Sequence, residues 1–71
     1  MSIDDFFNKK LDEIAEVSGV DRNLILSKSK ELDVVDARHI FIKIMSDCGL
    51  SSKSIGRVLD ISSRNVQYVL Q

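Results

Sequence analysis

Seventy-one residues with 44% hydrophobic content, 30% charged content and a net charge of −1 describe one ordinary globular domain, not a disordered tail or a multidomain enzyme. A chain of this size buries only about 60% of its unfolded surface, so it can build one modest core. One cysteine excludes a disulfide framework; with no long apolar run and no signal-peptide pattern, a cytoplasmic setting away from membranes is expected.

The first predicted element is a helix from Ile3 to about Ser18. Ser2 is placed to cap it, and Asp4 and Asp5 suit the positive end of its dipole. Ile3, Phe7, Leu11 and Ile14 form an apolar stripe, while Asp5, Asn8, Asp12 and Glu16 face water. Gly19 is a natural stop, and Asp21 then caps a short helix over about Arg22 to Ser29 that buries Leu24 and Ile25. Lys30, Glu31, Leu32 and Asp33 read as a polar loop. Asp33 followed by Asp36 resembles a capping box, opening a long helix to about Cys48 whose wide apolar face holds Ala37, Ile40, Phe41, Ile44, Met45 and Cys48. That width makes it the central helix. Gly49 ends it.

Residues 52–71, SKSIGRVLDISSRNVQYVLQ, read as a helix-turn-helix started by Ser51 or Ser52. Ile55 and Leu59 lie one turn apart on the buried side of its first helix, Ile61 plugs the turn, and Val66 with Val69 faces inward from the second. Gly56 falls where the two helices cross most closely and a missing side chain lets backbones approach. With no strand signal, the expected fold is all-α: a single domain over 1–71, a compact bundle of about five helices ending in a helix-turn-helix.

The arrangement resembles the C-terminal DNA-binding domain of the bacterial replication initiator DnaA, part of the helical group that includes the Trp repressor. The likeness runs from about Leu11 to Leu70. It rests on Leu26-Ser27-Lys28-Ser29-Lys30, then Val34-Val35, Ala37-Arg38-His39-Ile40 and Ile55-Gly56. It implies a bacterial or phage setting and makes Arg38 a candidate minor-groove or phosphate contact. Glu31, Asp33 and Asp36 make the loop acidic where the family's is basic. Ser63-Arg64-Asn65-Val66 stands where the family carries its Asp-His-Thr-Thr-Val signature. The resemblance therefore implies a shared shape with a different DNA target, without the initiator's ATPase module.

A helix-turn-helix presents the outer face of its second helix to the major groove. Here that face is expected to hold Ser63, Arg64, Gln67 and Tyr68, with Asn65 beside it. Arginine pairs bidentately with guanine and glutamine with adenine, which puts Arg64 and Gln67 first. Ser62 and Ser63 at the helix start can donate to phosphate. Lys53 and Arg57, four apart on the preceding helix, are phosphate candidates on one face. Charge agrees with this polarity. Residues 1–37 carry five Lys/Arg against nine Asp/Glu, and residues 38–71 carry five against two.

Other chemistry finds little support. His39 and Cys48, nine apart on one helix, fall on different faces and have no further soft ligand, so no metal or cofactor is expected; Cys48 reads as core and His39 as surface. Asp4-Asp5 and Asp12-Glu13 are adjacent and point in different directions, suiting dipole complementation and solubility better than acid–base work. No phosphate-binding glycine loop and no serine-histidine-acid set is present, so neither enzyme activity nor a small-molecule substrate is expected. The leading expectation is double-stranded DNA binding, sequence-specific and regulatory or replication-related. One such helix covers few base pairs, so a second copy as a dimer or a larger DNA-binding protein is an expected partner. The alternative is a protein-interaction module of the same fold that has lost DNA binding and uses the first helix, where Phe6 flanks the apolar stripe.

Overall fold

A computed structural model describes residues 3–71, with side chains described from Asp5 onward. Five helices follow in order: α1 (Ile3–Ser18), α2 (Arg22–Ile25), α3 (Leu32–Asp47), α4 (Ser52–Leu59) and α5 (Ser63–Leu70). No strand occurs among the described residues. The Ser2 cap and the placement of the Ile3 and Asp4 side chains lie outside the described residues.

The apolar spacing of α1 works as its sequence implies: Phe7, Leu11 and Ile14 are buried, and Asp5, Asn8, Asp12 and Glu16 are exposed. α3 is the central helix, packing on each of α1, α2, α4 and α5. Its buried residues are Val34, Ala37, Phe41, Ile42 and Met45. The expected apolar face was therefore rotated in part. Ile42 is fully buried, Ile40 is 48% exposed, and Cys48 is exposed rather than core. Cys48 falls at the C-cap of α3, where the chain leaves the core to turn at Gly49. His39, expected at the surface, is half-buried. Phe41, Met45, Ile25, Ile55 and Val66 bring four helices into one core, each contributing about 1.5–3 kcal/mol relative to exposure. The Cα radius of gyration of 11.0 Å matches the roughly 11 Å expected for a packed chain of this length.

α2 is shorter than the sequence implies, ending at Ile25 instead of Ser29. Asp21 does cap it, accepting from the Asn23 N–H at 2.7 Å. Beyond Ile25 the serines compete with the helix. The Ser27 hydroxyl donates to the Leu24 carbonyl at 2.6 Å and accepts from the Ser29 N–H, and the Ser29 hydroxyl accepts from the Glu31 N–H. A single turn can bury only one side, so Ile25 is buried while Leu24, expected in the core, is 45% exposed. Arg22 ties the turn to α1, donating to Asp12 at 2.6 Å and to Asn8. α3 then begins at Leu32, and Glu31 occupies its N-cap without a side-chain bond. The Asp33–Asp36 capping box does not form because both residues already lie inside the helix.

Candidate nucleic-acid interface

α4 and α5 pack more extensively on each other than any other pair of helices. Ser51 caps α4, its hydroxyl accepting from the Ser54 N–H at 3.2 Å. Ile55 and Leu59 are buried on the inner side, and α4 stops at Asp60, which adopts a left-handed conformation with φ 57° and ψ 46°. Aspartate tolerates that conformation better than a branched residue would. The Gly56 carbonyl accepts from the Asp60 and Ile61 N–H groups, so the turn folds back over Gly56. A Cβ on Gly56 would sit 2.6 Å from the Ile61 carbonyl oxygen. Only glycine fits, and the close approach it permits is to the turn rather than to the body of α5. Ile61 is half-buried over the core.

Ser62 caps α5, accepting from the Asn65 N–H at 3.2 Å, while its hydroxyl proton stays available to another acceptor. Val66 is fully buried, and Val69 and Leu70 are partly buried against the core, which anchors α5 and leaves its other side chains exposed. Ser63, Arg64, Asn65, Gln67 and Tyr68 are all exposed, Tyr68 at 77%. These residues divide between two edges. Ser62, Asn65 and Tyr68 border hollows shared with α3 and the α2–α3 loop, whereas Ser63, Arg64 and Gln67 border neither. On α4, Lys53 and Arg57 are exposed one turn apart. Among the described residues Lys53, Arg57 and Arg64 enter no ion pair.

Arg38 is the site residue whose surroundings differ most from a groove-reading role. It is partly buried, and its Nε donates to the Ile25 carbonyl at 3.0 Å. Nη2 donates to the carbonyls of Ser27 at 2.6 Å and Ser29 at 3.2 Å. The same geometry brings in two residues that the candidate set lacks. Lys28 and Lys30 project from the loop beside Ser62 and Asn65, and Lys28 Nζ lies 3.9 Å from an Asp60 carboxylate oxygen. Both partners of that pair are exposed, so it is weak. The signal for these lysines was the alternating Lys28-Ser29-Lys30 run. The run also carries part of the family resemblance, but only the folding of the loop against α5 places its lysines beside the candidate site. His39 borders the neighbouring hollow with Asn65 and Tyr68.

No family model matches the chain, and no curated protein or solved structure matches it either.

Proposed function

We propose that this chain binds double-stranded DNA, with α5 entering the major groove and reading sequence through Arg64 and Gln67. The observation that carries this reading is the α4–turn–α5 unit closed over Gly56, which anchors α5 by Val66 and leaves Ser63, Arg64, Gln67 and Tyr68 exposed on one short helix. A helix held from beneath, with arginine and amide side chains outward, has the shape and the donors that base edges require. Lys53 and Arg57 on α4 supply phosphate contacts flanking the reading helix, as do Lys28 and Lys30 from the loop. Ser62 can add its hydroxyl proton. Such contacts fix register and carry no sequence information themselves. The resemblance to the DnaA C-terminal domain supports the same reading, and a regulatory or replication role goes with it. Because α5 spans few base pairs, a second copy or a larger DNA-binding partner completes a useful site.

The second reading, a protein-interaction module, draws on a different surface. Phe6 is half-buried, packed edge-on to Phe7 with the Lys10 ammonium 5.9 Å from its ring, so it offers less free surface than the sequence implies. The exposed apolar side chains in the groove between α1 and α3 are instead Val17 and Ile40, which line it together with Ile14 and Ile44. Selection from a random duplex-DNA pool at near-physiological salt separates the two. An enriched motif is the expected result. Absence of any retained DNA even at low salt overturns the DNA reading in favour of the protein partner.

A further inference from the structure

The loop between α2 and α3 has no helix or strand to hold it, yet it borders α5 closely enough to share a hollow with Ser62 and Asn65. Its own serines bond only to near neighbours in the chain, and the side chain that ties it to the next helix by hydrogen bonds is Arg38. Arg38 takes the carbonyl of Ile25, one of the unpaired carbonyls left at the end of α2, and then those of Ser27 and Ser29. The carbonyls of Ser27 and Ser29 turn inward to the guanidinium, and the intervening and following residues, Lys28 and Lys30, are exposed. We infer that Arg38 is a positioning residue for DNA binding: it clamps the loop so that Lys28 and Lys30 stand beside the first turn of α5, and it does not itself touch DNA.

This rests on the DNA-binding reading and deepens it, assigning to Arg38 the task of holding the loop lysines of that surface in place. A planar fork with donors in fixed directions can engage several carbonyls at once, which a lysine ammonium does only as a point charge. Turning the guanidinium towards a phosphate would release all three carbonyls and free the loop. The arginine and the loop lysines therefore act as one unit, and their removal cannot be additive.

The test measures affinity and its salt dependence for a duplex that the unaltered protein binds. The proteins compared are Arg38→Gln, Arg38→Lys, a Lys28→Ala/Lys30→Ala variant and the triple variant combining Arg38→Gln with it. Two lost phosphate contacts should lower the salt slope by about 2 and the affinity roughly tenfold. Arg38→Gln should show a similar loss, Arg38→Lys should not rescue it, and the triple variant should be within about twofold of the double. A direct contact would instead lower the slope by about 1 in Arg38→Gln, would be largely kept in Arg38→Lys, and would add to the lysine losses; that pattern overturns the clamp while leaving DNA binding intact. Lys28 and Lys30 are exposed, so their variant folds whatever becomes of Arg38. An unchanged slope in it also overturns the proposal. Failure of the unaltered protein to bind any duplex at low salt overturns the DNA reading, and the clamp's role in it as well.

Discussion

Two connections in this small bundle do similar work by different means. The α4–α5 turn is closed by devices within its own few residues: the Gly56 carbonyl, the missing Cβ above it, the left-handed Asp60 and the Ser62 cap. The α2–α3 loop is closed by Arg38, which lies nine to thirteen positions away from the carbonyls it holds. The first is wholly local, backbone and cap together; the second adds a distant side chain to the loop's own serine bonds. Local closure leaves a mark in sequence. Closure from a distance does not, because nothing near Ser27 announces which later residue will take its carbonyl.

The largest expected effect breaks the local closure. Gly56→Ala drives a Cβ into the Ile61 carbonyl oxygen, a backbone atom that cannot swing aside. Overpacking of this kind costs about 2 kcal/mol or more, which lowers the melting temperature by on the order of 10 °C in a domain this small. Thermal denaturation followed by circular dichroism measures it; a shift of only a degree or two would mean that the turn is not held as described.

Next, Arg64→Ala leaves both closures untouched and removes a reading side chain. Specific affinity should weaken by about 1–3 kcal/mol at fixed salt, with the folded state unaltered. Unchanged affinity would remove Arg64 from the interface and shift the reading of sequence elsewhere on α5. Ser62→Ala comes third, deleting the α5 cap at a cost of about 1 kcal/mol of stability in urea denaturation. A loss near zero would show the α5 start held by packing alone. Smallest of all, Cys48→Ser should change stability by less than about 0.5 kcal/mol, since Cys48 is exposed at the end of α3. A thiol that reacts with Ellman's reagent only after denaturation would contradict that exposure.

The same contrast explains what was legible beforehand. The five helices, the central place of α3 and the buried stripe of α1 follow from spacing within single elements, while the glycine expected at a helix crossing is required instead where the turn folds back over Gly56. The misread positions depended on partners elsewhere. The expected extension of α2 to Ser29 failed because Ser27 and Ser29 bond their own backbone while Arg38 takes the carbonyls. Leu24 and Cys48 are expected in the core from helices that continue past them, whereas one turn of helix and a C-cap position leave them exposed. On α5 the sequence separated buried Val66 from its exposed neighbours. It did not anticipate that Asn65 and Tyr68 form a separate edge facing α3 and the loop.

The most direct measurement is a titration of isotope-labelled protein with a duplex enriched from the random pool, following backbone amide chemical shifts. The expected result is that the largest changes fall on Ser62–Tyr68, with smaller ones at Lys53, Arg57 and the Lys28–Lys30 loop, while the outer face of α1 stays still. Changes centred on Val17, Ile40 and Ile44, or none along α5, would contradict the claim that α5 reads DNA.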